Sequence, residues 1–299
     1  MKTWSMPVSE AKSEDLPCAV CGSSIFSPSL NCEGFSFVRC KSCGLVQRNP
    51  QPVKEEIISR YSDVYGKDYL AYELENEASF LKLQQLALKD AGFEKLEKML
   101  FARNERQRNA GTGNSPSVLD IGCATGAVLN SLRERGWRVT GVEISPAASY
   151  AQKKRNLDIR NLPLEENNFP LRSFDAILAS HLIEHLNDPR AFFTEINRIL
   201  KDDGYVFITT PNISGFQARL FGSRWRSAIF DHLYLFSVRT LKRLLSNTGF
   251  KTESCRTWGG LAAGTSPKWL KKAADFLAKR FNCGDVMIIR AVKNRRIAQ

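Results

Sequence analysis

The chain has 299 residues, 43% of them hydrophobic, with 43 Lys and Arg against 31 Asp and Glu. That is enough apolar material for one α/β domain plus something small, and it excludes a disordered chain. The net charge of +12 favours anionic partners without choosing among nucleic acid, acidic lipid and phosphorylated metabolites.

Residues 1–15 are polar and aperiodic and read as a loose tail. The opening Met1-Lys2-Thr3-Trp4-Ser5-Met6-Pro7 lacks the apolar stretch of a secretory signal. No apolar run approaches ~18 residues, so no spanning helix is predicted and a cytoplasmic address is expected. Residues 16–48 carry two knuckles, Cys18-Ala19-Val20-Cys21-Gly22 and Cys40-Lys41-Ser42-Cys43-Gly44. Their spacing matches a zinc ribbon. Two thiolates three positions apart grip one ion from a tight turn, and the following glycine allows the positive φ that turn needs. Four sulfurs, from Cys18, Cys21, Cys40 and Cys43, close a tetrahedron, so the expected Zn2+ is structural. Cys32 has no partner in the spacing, and Cys123, Cys255 and Cys283 are scattered; core packing explains all four.

Asn49-Pro50-Gln51-Pro52 breaks the chain, and residues 49–115 read as a helical segment and linker. Leu81, Leu88, Phe93, Leu96 and Leu100 recur at helical spacing. Tyr61, Tyr65, Tyr69 and Tyr72 form a stripe that either packs on the main domain or covers a ligand. Asn104 to Ser117 reads as a surface linker. From residue 116 strands and helices alternate. Strands are predicted near 117–121, 137–142, 157–161, 174–179, 204–210, 250–257 and 285–292. Helices are predicted at 126–135, 146–155, 189–200, 237–248 and 267–281. This pattern predicts a Rossmann-like, mostly parallel seven-stranded sheet with helices on both faces and an antiparallel last strand. A basic aromatic insert at 213–236, with Arg219, Arg224, Trp225 and Arg226, reads as a lid that grips a phosphate or touches a membrane surface.

The most informative stretch is Val118-Leu119-Asp120-Ile121-Gly122-Cys123-Ala124-Thr125-Gly126, a buried strand entering a glycine turn. A second strand follows and ends at Glu143. The glycines do not form the Gly-x-Gly-x-x-Gly of dinucleotide sites, since Ala124 and Ala127 stand at the other two places. The segment Asp120 to Gly126 resembles motif I of class I S-adenosylmethionine-dependent methyltransferases. Asn168-Phe169-Pro170-Leu171-Arg172-Ser173-Phe174-Asp175, Glu184-His185-Leu186-Asn187-Asp188-Pro189 and the passage Asp202 to Asn212 resemble later landmarks of that family. With the cysteine knuckles, the chain is similar to bacterial ribbon-bearing members acting on sugars, glycan precursors or other metabolites.

The resemblance implies S-adenosyl-L-methionine as cofactor. It places Asp120, Gly122, Cys123 and Gly126 at the methionine end, and Glu143 and Ile144 at the ribose. Leu164 and Glu165 fall at the adenine, and Ser180 at the end of strand four. A carboxylate suits a vicinal diol because it offers several acceptor sites. The implied reaction is methyl transfer to a small-molecule hydroxyl, which needs positioning and a proton acceptor. His232 and His181 are the candidates, and His185 is expected one helical turn along the same face as His181. The runner-up reading is an RNA methyltransferase using the ribbon and positive charge. A non-catalytic scaffold that docks a partner is the third.

Overall fold

The computed structural model describes residues 13–53, 56, 64–109, 114–259 and 268–294. Tyr61 and most of the expected tail lie outside them. In chain order the first strands are β1 (Ser13–Glu14), β2 (Phe26–Cys32), β3 (Phe35–Cys40), β4 (Val46–Arg48) and β5 (Gln51–Pro52). Two helices follow, α1 (Val64–Asp90) and α2 (Phe93–Asn109), divided at Gly92, whose φ of 85° no helix interior accepts.

The alternating region then runs β6 (Ser117–Ile121), α3 (Ala127–Glu134), β7 (Arg138–Val142), α4 (Ala147–Arg155), β8 (Ile159–Arg160), β9 (Phe174–Ser180), α5 (Pro189–Ile199) and β10 (Leu200–Pro211). It ends with α6 (Phe216–Phe221), β11 (Tyr234–Leu235), α7 (Val238–Asn247), β12 (Phe250–Trp258), α8 (Lys268–Phe281) and β13 (Val286–Lys293). Local chemistry sets the helix starts. Asp188 caps α5 by accepting from Arg190 N and Ala191 N, with Pro189 as its first residue. Ser237 and Thr240 cap α7 reciprocally.

The main sheet has the order β12-β13-β10-β9-β6-β7-β8. The strands from β10 to β8 are parallel, while β13 is antiparallel to both β10 and β12. This is the expected seven-stranded sheet. β6 is buried along its whole length, as a central parallel strand covered on both faces must be. The chain goes to β7 and β8 on one side of β6 and returns through β9 on the other. The switch point therefore lies at the carboxyl ends of β6 and β9, where open α/β sheets bind ligands.

α1 and α2 cover one face. Phe93 and Leu100 pack with Trp137, Leu129 and Phe207. Residues 104–109 belong to α2 rather than to a linker: Asn104 is buried and its Nδ2 donates to the Asn114 carbonyl. On the other face, Cys18, Val20, Cys40 and Leu45 share one apolar cluster with Phe193, Tyr234, Leu244 and Phe250. β11 pairs with β4, extending the sheet β2-β3-β4 into the main domain. Among the described residues, no helix is long and apolar enough to cross a membrane.

Candidate active site

β6 leads into a turn through Gly122 (φ 73°), Ala124 (φ 47°) and Gly126 (φ 74°). At Gly126 a Cβ would lie 2.6 Å from Leu157 Cδ1 and 3.2 Å from Ala151 Cβ, so only glycine fits. The amides of Gly122 and Cys123 donate to the Val142 carbonyl at 2.8 and 3.2 Å, stitching the turn to the end of β7. Glu143 follows and is buried. Its Oε2 accepts from Ala124 N at 2.9 Å and its Oε1 from Ser145 N at 2.8 Å. Each oxygen keeps a second lone pair. The acidic residue is thus held rigidly against the glycine turn. Ile144, next in the chain, is half-buried, and Cys123 is buried. Burial, then Asp120 and Glu143, push the Cys123 thiol well above its usual range.

Asp120 is buried, and its carboxyl makes no hydrogen bond among the described residues. Burial, then the charge of Glu143, push its carboxyl up to about 8. Ser180 Oγ, at the end of β9, is also buried without a partner. Asp120 and Ser180 line a cavity of about 20 Å³ with Thr209 and with Gln84 and Leu88 of α1, room for about one water. Leu164 is buried in a single 3-10 turn, Leu164–Glu166, and Glu165 beside it is exposed.

α1 lies across this site. Glu77 accepts from Thr125 Oγ1 of the turn at 2.5 Å and from Arg155 at 2.6 Å. One helical turn earlier, burial raises Glu73 to about 7; the bond from Tyr69 opposes this, and Glu143 and Glu77 add to it. Tyr72 packs on Phe80, with ring centroids 5.7 Å apart, and is half exposed. Asp120, Glu143, Glu73 and Glu77 bring four carboxyl groups together, and a cationic ligand among them would favour their charged forms.

A second cluster follows β9. His181 sits in the left-handed region (φ 51°), half exposed, its Nδ1 3.3 Å from Glu184 Oε1. Glu184 is buried, and its Oε2 accepts from Thr210 Oγ1 at 2.9 Å. Burial pushes its pKa up, but His181 at close range, with His185 and His232, outweighs burial and holds it at about 2. His232 is buried rather than placed at an open mouth. Its Nδ1 lies 2.8 Å from the Ser227 carbonyl, and burial, then His185, lower its pKa to about 4. The rings of His185 and His232 are 4.7 Å apart, edge to face. Residues 182–187 form a turn in which His185 N donates to the Leu182 carbonyl. The expectation of a helix carrying His181 and His185 is corrected: a turn, not a helical face, brings the three histidines around Glu184.

The basic insert is pinned rather than open. Trp225 is buried, its Nε1 donates to Asp285 Oδ1, and Arg226 Nε pairs with Asp285 Oδ2 at 2.6 Å. Arg219 and Arg224 remain exposed.

At the knuckles, the four cysteine sulfurs lie within 4.8 Å of one another. Cys18–Cys43 is 3.4 Å and Cys21–Cys40 is 3.5 Å, close to the ~3.8 Å edge of a tetrahedron with ~2.3 Å metal–sulfur arms. Gly22 N and Gly44 N close the turns onto the carbonyls of Cys18 and Cys40. Burial raises Cys40, but the Cys43 and Ser42 amides outweigh it and bring the thiol down to about 6. Burial pushes Cys18 and Cys43 up. The set suits zinc.

Residues 85–254 match a family described as a methyltransferase domain, more than half of the chain. The chain belongs to this methyltransferase family. The ubiquinone biosynthesis O-methyltransferase of Bradyrhizobium sp. (strain ORS 278) is 32% identical over 118 residues, 38% of this chain and 46% of that protein. That of Pasteurella multocida (strain Pm70) is 29% identical over 123 residues, 36% of this chain and 50% of that protein. The chain thus spans about half the length of the curated relatives it matches. A solved SAM-dependent methyltransferase from Archaeoglobus fulgidus aligns with 66% of this chain and 94% of its own, at 21% identity and a TM-score of 0.46.

For a methyltransferase domain the implied group is S-adenosylmethionine, and the residues fit it. Ser180 Oγ is a buried hydroxyl without a partner, Gly126 excludes any side chain from the turn, and buried Asp120 and Glu143 set two carboxyl groups beside it. Sequence reasoning missed Glu73, Glu77, Thr125, Arg155, Glu184 and Thr210 as members of the two clusters. The Tyr69-Glu73-Glu77 spacing of four was a readable signal for the first.

Proposed function

We propose that this chain transfers a methyl group from S-adenosylmethionine to a hydroxyl of a small-molecule acceptor. One observation carries the reading: a carboxylate-lined glycine turn and a half-exposed histidine meet at the switch point of the sheet. When bound, the cofactor supplies an electrophilic methyl on a positively charged sulfur. Glu143 takes the ribose hydroxyls on its remaining lone pairs, and the turn from Gly122 to Gly126 lets backbone approach the cofactor closely. Asp120, Ser180 and Glu73 meet the charged methionine end. α1 lies across the site, and the work left to the protein is to align the acceptor with the methyl group. His181 receives the hydroxyl proton as the oxygen attacks, and Glu184 stands behind its ring.

Oxygen is favoured as the acceptor atom because both curated relatives named above are O-methyltransferases. A sugar, a glycan precursor or another metabolite fits this class. Exposed Arg219 and Arg224 suit a phosphate on it. Zn2+ at Cys18, Cys21, Cys40 and Cys43 is assigned a structural role. Calorimetry with S-adenosylmethionine tests the cofactor assignment, and heat-silent mixing at millimolar cofactor would refute it. His181→Ala is expected to lower turnover about 100-fold while leaving cofactor affinity within about twofold. Unchanged turnover would remove His181 from the reaction.

A further inference from the structure

We propose that Glu184, His185 and His232 form a second metal site, one that takes a divalent transition-metal ion of the zinc, cobalt or iron(II) class. One donor atom from each of the three residues lies within 4.8 Å of the others; a tetrahedral ion with ~2.0–2.2 Å bonds draws its donors to about 3.5 Å, a closure of about an ångström that side-chain rotation supplies. Two imidazoles and one carboxylate are a donor set that selects such metals over magnesium or calcium, which prefer oxygen throughout.

The supports around the donors point the same way. Ser227 and Asp231 offer carbonyl oxygens, which can only accept. The Nδ1 atoms facing them at 2.8 and 3.0 Å are therefore the protonated ones, and Nε2 becomes the basic nitrogen of each ring. Ligating histidines are held in this way by backbone carbonyls. Thr210 Oγ1 fixes the other carboxylate oxygen. Glu184 Oε1 is the telling atom. Its residue is 1% exposed, yet no hydrogen bond reaches Oε1; His181 Nδ1 approaches to 3.3 Å without the alignment of one. The half-exposed His181 balances this buried carboxylate only when protonated, and a cation between Oε1 and the two rings would balance it in either state of His181.

The cluster gathers three segments that share no local sequence: the turn after β9, the insert before β11, and β10 through Thr210. Three protein ligands leave a coordination position for an exchangeable ligand. What that position does for catalysis rests on the methylation reading: an acceptor oxygen held there would give up its proton more readily. The metal site itself stands on the donor geometry alone.

The test uses full-length protein stripped by a chelator and titrated with Co2+, followed by absorbance and by metal analysis after dialysis. Cobalt in the cysteine site gives an intense thiolate charge-transfer band, and cobalt on imidazole and carboxylate does not. The wild type is expected to retain about one equivalent more than Glu184→Gln or His185→Ala. Those variants should bind this second Co2+ at least about tenfold more weakly, with the thiolate band unchanged. Both substitutions spare the deeply packed His232, so they serve where His232→Ala fails to fold, and circular dichroism checks each. Equal metal content and equal spectra in the wild type, Glu184→Gln and His185→Ala would overturn the site. Because the readout is metal content, it fails or succeeds independently of any methyl transfer.

Discussion

With its carboxyl pushed up to about 8 by burial and by Glu143, Asp120 is mostly protonated at neutral pH when no cofactor is bound. A cation placed beside it favours the charged form and lowers its pKa. On the proposed placement of S-adenosylmethionine beside Asp120, its binding should release a proton, and affinity should rise with pH, by up to about tenfold per unit, until it levels near pH 8. Glu73, raised to about 7, acts with the same sign. Calorimetry in buffers of different ionisation enthalpy reads the released proton directly, and Asp120→Asn should flatten the profile. The same shift has the opposite effect on the protein alone. The folded pKa lies above the unfolded value, so stability without cofactor should fall as pH rises from about 4 to about 8. Asp120, Gly126 and Glu143 were legible because a strand, a turn and an acid at fixed spacing have few other uses. Glu184 stood in plain view within a recognisable phrase, but its importance comes from burial and from the approach of His232, and neither is written locally.

At the level of elements, α1 carries the least obvious work. Its leucines announced helical structure; the break at Gly92 that ends α1 was not read. What the composition could not show is that Glu77 reaches the glycine turn, because a charge on a helix is usually a solvated one. The helix is held over the site by two short bonds from that carboxylate, to Thr125 and Arg155. Thr125 belongs to the glycine turn and Arg155 ends α4, so these bonds tie α1 to both and resist its lifting away. Glu77→Ala should cost only about 1 kcal/mol of stability, as a half-buried charged pair does. It should nonetheless raise amide exchange along residues 64–90 at least about fivefold relative to the sheet. Exchange confined to the mutated turn alone would show that α1 is held by its apolar face instead. The start of α2's last turns shows the opposite failure of sequence reading. Asn104-Glu105-Arg106 looks like a linker by composition, but buried Asn104 bonds to Asn114 and carries the helix on to Asn109.

At the scale of the whole molecule, the cysteine module is built into the main domain rather than tethered to it. The spacing of four cysteines was legible from the sequence; the docking was not, because its contacts come from residues far along the chain. Val20, between the first pair of cysteines, offers its carbonyl to Arg190 of α5 at 2.9 Å and to Asn247 of α7 at 2.9 Å. β4 pairs with β11, and Arg48 stacks over the Phe230 ring at 4.0 Å while donating to its carbonyl. Cys18, Cys40 and Cys43 are themselves part of the apolar cluster that includes Phe193 and Leu244. A module that shares its core cannot unfold alone without exposing that of its neighbour. Loss of the ion at the cysteines should therefore lower the stability of the entire described domain in one cooperative transition. Cys21→Ser, which leaves the Glu184 cluster intact, is expected to shift the thermal midpoint down by several degrees. Tryptophan fluorescence, to which buried Trp137 and Trp225 contribute among the five tryptophans of the chain, should change in step with far-ultraviolet circular dichroism. Two separate transitions, with the tryptophans lagging the first, would mean that the knuckles form a unit of their own and that the shared core contributes little to holding the catalytic sheet together.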